Sequence, residues 1–233
     1  MANSARNQPG TEPKVRKEVE VNPLDTLTVV YENNKKRIST VTTVILVAVI
    51  GYFAYTKLYK GPAEEKASAA LYYAQLYFSV DSVAQAMNGD GGKNMGFVKI
   101  AKKYDGTAAG NLAHYYSGIC YLKTGDLKNS VSEFKKFNGK GTMLGNMADG
   151  LLGEAYMELG DKAQAIESFK KATADKDDAL VTPMFLYQLG LAYEANGNNN
   201  DAVAAFKRIR DEYPRSMQAR DMDKELAHLG DVN

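Results

Sequence analysis

Cysteine occurs once in this chain, at Cys120, and histidine only twice, at His114 and His228. A single thiol rules out an internal disulfide and a cysteine-rich metal site, and it leaves the redox compartment undecided. Two histidines, with no carboxylates clustered on one predicted face, support neither a zinc site nor acid–base machinery. His114 and Cys120 lie about 600° apart around a helix, so they cannot act as base and nucleophile. His228 stands alone near the C-terminus and reads as an exposed helix residue. An excess of one charge is lacking too, with 29 Lys/Arg against 28 Asp/Glu. A near-neutral chain without a basic stripe interleaved with aromatics gives no support to nucleic acid as a partner. The glycine cluster GDGGKNMG, Gly89 to Gly96, lacks the GxxxxGK[S/T] pattern and a preceding strand; it reads as an irregular helix connection. Asp81, Asp90 and Asp105 fit no twelve-residue calcium loop. No catalytic residue, metal or cofactor is expected.

What the chain does have is a long uncharged run. Ile38 to Thr56 contains no charged residue, and at about 1.5 Å per residue it spans roughly 28 Å, near the hydrocarbon thickness of a bilayer. Ser39, Thr40, Thr42 and Thr43 dilute its apolar character, yet their hydroxyls can bond carbonyls one turn earlier. Tyr52, Tyr55 and Tyr59 suit an interfacial belt. Lys35, Lys36 and Arg37 precede the run, whereas Glu64 and Glu65 soon follow Lys57 and Lys60, so the positive-inside rule puts the N-terminus in the cytoplasm. Too much chain precedes the run for a cleaved signal peptide, and it reads as an uncleaved anchor with residues 61–233 translocated. Residues 1–22 are polar, proline-containing and aperiodic, so they are expected to be a disordered tail. Leu24, Leu27, Val30 and Tyr31 recur at helical spacing behind Asn22 and Pro23, which predicts a juxtamembrane amphipathic helix over 23–37 leading into a transmembrane helix over 38–56. That helix is either an extension of the anchor or a surface docked on a membrane partner.

The remainder repeats itself. Gly118, Gly153 and Gly190 each stand three residues before a tyrosine, namely Tyr121, Tyr156 and Tyr193. A second glycine follows four residues on, at Gly125, Gly160 and Gly197, and a phenylalanine nine residues beyond that, at Phe134, Phe169 and Phe206. The first glycine allows close helix approach, and the second ends the first helix in a left-handed conformation. Ser130, Ala165 and Ala202 place a small residue one turn before each Phe. Pro214 stops the last repeat. These positions resemble the tetratricopeptide repeat, a helix-turn-helix unit, with copies near 111–144, 146–182 and 183–214. The bulky residue usual near the start of the first helix is replaced by His114, Asp149 and Leu186. A degenerate first repeat is expected over 63–107, where Ala74, Tyr77 and Ala86 fit and Phe97, Ile100, Ala101 and Tyr104 resume a helical face. A capping helix is expected over 216–229, begun by Ser216 and carrying Met217, Met222, Leu226 and Leu229. The fold class is therefore all-α: one transmembrane helix followed by a tetratricopeptide-repeat solenoid over 61–233.

In the repeat register the inner helix of each pair lines a groove. Its residues would be Leu112, Tyr115, Ile119 and Leu122, then Met147, Gly150, Glu154 and Met157, then Met184, Tyr187, Leu191 and Glu194. The basic clamp that many relatives use for acidic C-terminal peptides is missing. The largely apolar, methionine-rich wall suits a helix or an extended hydrophobic segment as ligand, or one of the chain's own terminal helices.

Three stretches extend the resemblance to the whole layout: NNKKRI at Asn33 to Ile38, YFSVDSVAQAMNGD at Tyr77 to Asp90, and GFVKIAKKYDGTAAGNLAHYYSGICYLKTGD at Gly96 to Asp126. They are similar to the YfgM-type ancillary subunits of the bacterial SecYEG translocon. That resemblance implies an inner-membrane protein with a periplasmic repeat domain. It also implies as partners the SecYEG translocon, a membrane-anchored prolyl isomerase chaperone and emerging secreted polypeptides. An envelope-assembly scaffold unrelated to the translocon would share every repeat feature, and with reversed orientation the same domain would be a cytosolic receptor. An enzyme would need a polar constellation in the groove, and the sequence shows none.

Overall fold

The computed structural model describes residues 23–231, so the expected disordered tail over 1–22 lies outside the described residues. The elements are α1 (Pro23–Ala54), a π-helical stretch (Tyr55–Lys60), α2 (Gly61–Ser79), α3 (Val83–Asn88), α4 (Phe97–Lys103), α5 (Ala108–Lys123), α6 (Leu127–Lys136), α7 (Met143–Glu158), α8 (Lys162–Ala172), α9 (Val181–Ala195), α10 (Asn199–Glu212), a 3₁₀ turn (Gln218–Asp221) and α11 (Met222–His228). No strand occurs among the described residues, and one isolated bridge between Gly89 and Met95 closes the glycine-rich loop. Contacts divide the chain into an N-terminal unit ending at Tyr55 and a C-terminal unit beginning at Thr56.

In the N-terminal unit, α1 runs without a break through the boundary expected between a juxtamembrane and a transmembrane helix. The side chains of Leu24, Leu27 and Val30 lie outside the described ones, and Tyr31 is exposed. Val41, Val44, Ile45, Leu46, Val47 and Ile50 are all more than half exposed, and they surround the helix rather than forming one stripe. A helix apolar on every side is not stable as a water-facing element. It is long and apolar enough to be a candidate membrane span. The hydroxyls of Thr40 and Thr43 donate to the carbonyls of Lys36 and Ser39 at 2.9 and 2.8 Å, so these polar groups are satisfied within the helix.

In the C-terminal unit, α5/α6, α7/α8 and α9/α10 are three helix pairs, each packed on the next. The aromatic ring on the second helix lies against the glycine of the first. A methyl carbon added at Gly118 would stand 2.8 Å from the Phe134 ring, one at Gly153 would stand 2.6 Å from Phe169, and one at Gly190 would run into Phe206. Phe169 and Phe206 are fully buried, and each such ring contributes about 1.5–3 kcal/mol through burial alone.

The link between paired helices is shared between two caps. At the end of α7, Gly160 has φ +79°, its N–H donates to the Met157 carbonyl, and the Asp161 N–H donates to Tyr156 at 2.9 Å. These two bonds satisfy carbonyls that a helix end would otherwise leave orphaned. Asp161 then caps α8, its carboxylate accepting from Gln164 N–H at 3.1 Å. The same arrangement recurs at Gly125 and Asp126, where the carboxylate accepts from Asn129 N–H. The opening helices α5 and α7 are capped by Thr107 and Thr142, which accept from the N–H of Gly110 and Gly145.

Over the stretch where a degenerate first repeat is expected, α2 packs against two short helices, α3 and α4, separated by the glycine-rich loop. Asp90 holds the interrupting loop together: its carboxylate accepts from the N–H of Gly92 and Asn94, the Asn94 amide and the Tyr77 hydroxyl. Beyond the loop, Phe97 and Ile100 are fully buried and Phe97 stacks on Tyr116 at 4.8 Å. Glu64 on α2 reaches 44 and 45 residues along the chain to accept from the N–H of Ala108 and Ala109, at 2.7 and 2.9 Å, which locks α2 to the start of α5.

At the other end the expected single capping helix over 216–229 is two pieces. Ser216 does accept from the Ala219 N–H, but that turn is 3₁₀, and α-helix begins only at Met222. A 3₁₀ turn advances more degrees per residue than an α-helix, so Met217 falls out of phase with Met222 and Leu226. Met222 and Leu226 are buried, whereas Met217 is 77% exposed.

Candidate protein-binding groove

The opening helices α5, α7 and α9 touch one another in order, and the 3₁₀ turn follows against α9. They form the inner row to which the sequence register assigns the groove residues. Leu112, Ile119, Leu122, Met147, Glu154, Met157, Met184, Tyr187, Leu191 and Glu194 are all half-buried along it. Tyr115 is different, being only 7% exposed and enclosed by Phe134, Phe137 and Tyr116 at ring distances of 5.3–6.2 Å. Burial, then the neighbouring Tyr116, pushes its phenol up to about 12. Tyr115 is core, and the inner surface of α5 falls to Leu112 and Ile119. Gly150 is a seat rather than a wall, because any side chain there would meet the ring of Phe185 from the next pair.

Between α7 and α9 lies a cavity of about 270 Å³ lined by Glu154, Met157, Glu158, Phe169, Gln188 and Leu191. Glu158 and Gln188 were not among the residues read from sequence. Glu158 follows Glu154 by one helical turn, and that spacing was the signal available for it. Burial, followed by the like charge of Glu158, raises the Glu154 carboxyl above its ordinary value. No hydrogen bond or ion pair relieves it among the described residues. At the far end the chain engages its own groove. Tyr187 lines a smaller cavity with Met217, Gln218, Asp221 and Met222, and Glu194 stands 3.3 Å from His228 on α11. The C-terminal segment thus covers the last pair and leaves the α7/α9 cavity open.

The three positions where a bulky residue is usual are filled differently. Leu186 is fully buried. His114 is buried and its Nδ1 lies 2.6 Å from the carboxylate of Glu133, which also accepts from Lys136 at 2.6 Å. Asp149 is half-buried and borders a cavity of about 700 Å³ with Phe134, Phe137 and Lys171. Burial raises its carboxyl, opposed by the charge of Lys171.

Other candidates for chemistry are occupied or inert. In the glycine-rich loop the amides of Gly92 and Asn94 already donate to the Asp90 carboxylate, whose negative charge opposes an anion there. Burial, only partly offset by Lys123, pushes the Cys120 thiol up to about 11, far from a reactive thiolate at neutral pH. Among the described residues no group of three or more His, Cys, Asp or Glu could hold a metal ion.

With this geometry in hand, the tetratricopeptide-repeat family profile matches residues 150–216. No curated protein matches the chain. The solved structure of MamA protein is similar with a TM-score of 0.54, at 18% identity, over 72% of this chain and 84% of that one. A putative kinesin light chain from Podosopora anserina with nearly identical TPR-like repeats is similar with a TM-score of 0.53, at 16% identity, over 73% of this chain and 88% of that one. At these identities the likeness shows the fold. The C-terminal unit has the fold of a tetratricopeptide-repeat solenoid.

Proposed function

We propose that the chain is a membrane-anchored interaction scaffold that holds a partner polypeptide in the groove along α5, α7 and α9. The observation that carries this reading is the open α7/α9 cavity, with its half-buried methionine and leucine walls, which the chain's own C-terminal helix leaves uncovered. The apolar, exposed α1 supports an anchor, and the charge on its flanks supports a cytoplasmic N-terminus with the repeats on the far side. On the sequence resemblance to the YfgM-type family, the setting is the bacterial inner membrane and the periplasm. There the scaffold would be an ancillary subunit of the SecYEG translocon, acting with a membrane-anchored prolyl isomerase chaperone on emerging secreted proteins.

Site-directed photocrosslinking from Met147 and Met184 in intact membranes tests the groove, and purification with the anchor intact tests the setting. The expected result is crosslinks to a polypeptide from both positions, with translocon subunits in the purified complex. Crosslinks without translocon subunits would move the scaffold to another envelope assembly. Absence of crosslinks from every groove position would end the groove reading. Protease accessibility in spheroplasts reads the orientation directly.

A further inference from the structure

Resting on the scaffold reading, we infer that the α7/α9 cavity selects a cationic amphipathic segment: an apolar stretch of polypeptide carrying a lysine or arginine that meets Glu154. The groove is not uniformly apolar. Glu154 sits at its middle, at the register position held by Ile119 on α5 and Leu191 on α9. Glu158 lies one helical turn further along α7 and lines the same cavity. Among the described residues neither one forms an ion pair. Lys162, the nearest lysine along the chain, donates its ammonium to the Ala195 carbonyl, and Lys123 is paired with Asp81.

A carboxylate half-removed from water with only another carboxylate beside it is costly to the free protein. A ligand that brings a positive charge and covers the cavity removes that cost on binding, and one that brings a negative charge adds to it. The surroundings reinforce the sign. After burial, the carboxylates of Glu225, Asp221 and Glu194 raise the Tyr187 phenol, so carboxylates stand near the far end of the groove as well. The methionine and leucine walls give such a segment adaptable apolar contact, while Glu154 fixes its register.

The test uses the full chain in detergent and three labelled helical peptides with the same leucine face, whose polar positions are lysine, glutamine or glutamate, read by fluorescence anisotropy. The lysine peptide is expected to bind at least about tenfold more tightly than the glutamate peptide, with the preference shrinking as salt rises. Glu154→Gln is expected to lower the lysine peptide's affinity by about three- to tenfold. It should leave the glutamine peptide unchanged and the fold intact, since it removes a half-buried charge that has no partner in the free protein. Glu65→Gln, at an exposed position on α2, is the control for general attraction to an acidic surface. Equal binding of all three peptides, or an equal response to Glu154→Gln and Glu65→Gln, would overturn the inference while leaving an apolar groove. Absence of binding by any peptide, together with absence of crosslinks from Met147 and Met184, would overturn the groove itself.

Discussion

Replacing Gly153 by alanine separates a glycine kept for packing from one that is merely tolerated. In an exposed helix interior the change would stabilise by about 1 kcal/mol. At this position the new methyl carbon would stand 2.6 Å from Cδ1 and Cε1 of Phe169, where carbon–carbon contacts normally begin near 3.5 Å. The ring is 1% exposed and stacked against Phe185 at 6.2 Å, so it cannot withdraw without parting α8 from α9. Overpacking of this kind costs about 1–3 kcal/mol, and the enclosed ring argues for the upper end. Subtracting the helix gain leaves a loss of about 2 kcal/mol, or a melting temperature lower by roughly 4–8 °C for a domain of this size. Circular dichroism melts of the full chain in detergent measure it. A second arm is the double variant Gly153→Ala with Phe169→Leu, which should be more stable than the sum of its single changes by about 1 kcal/mol or more. A rise in melting temperature on Gly153→Ala, or strict additivity in the double variant, would refute the packing account.

Four further outcomes are expected. Gly160→Ala should destabilise by about 1–2 kcal/mol through its left-handed backbone alone, with no help from Phe169→Leu, because open space surrounds it. Glu64→Gln should cost about 1 kcal/mol and raise hydrogen-exchange rates first at the start of α5, whose leading N–H groups it leaves with a weaker acceptor. For Glu133, burial raises the carboxyl, but bonds from His114 and Lys136 and their charges outweigh it and hold the group below 4.5. Its stabilising contribution is therefore complete above the ordinary carboxylate range and is lost as the pH falls through the lowered folded value, so Glu133→Gln should flatten the acid side of a stability–pH curve. Met157→Lys, which sets a positive charge beside Glu154 and Glu158, should leave the melting temperature nearly unchanged, since the residue is half-buried at the groove, yet abolish crosslinks from Met184.

The elements most legible in the sequence were those whose cause is local. Gly160 and Gly125 each end a helix through bonds between residues at most five apart, so a turn signature suffices to place them. The recurring Gly and Phe positions were visible as a repeat for a related reason: each pair buries the same contact, and the period records it. The long apolar run was equally plain, because a span depends on length and composition. The 3₁₀ turn at Gln218–Asp221 was not legible, since Ser216 caps a tight turn and an α-helix through the same local bond.

Composition and period alone therefore determined the class of this protein: an apolar helix followed by stacked helical hairpins. Tertiary structure decided which inner-row residues are available. Tyr115 and Gly150 occupy groove positions by register, yet aromatic rings from other elements enclose one and rest on the other. Glu64 capping α5 and the C-terminal segment meeting Tyr187 and Glu194 are likewise contacts between distant parts of the chain. Periodicity reports which side of a helix faces inward, but accessibility depends on what neighbouring elements bring against that side, and only the folded stack brings them there.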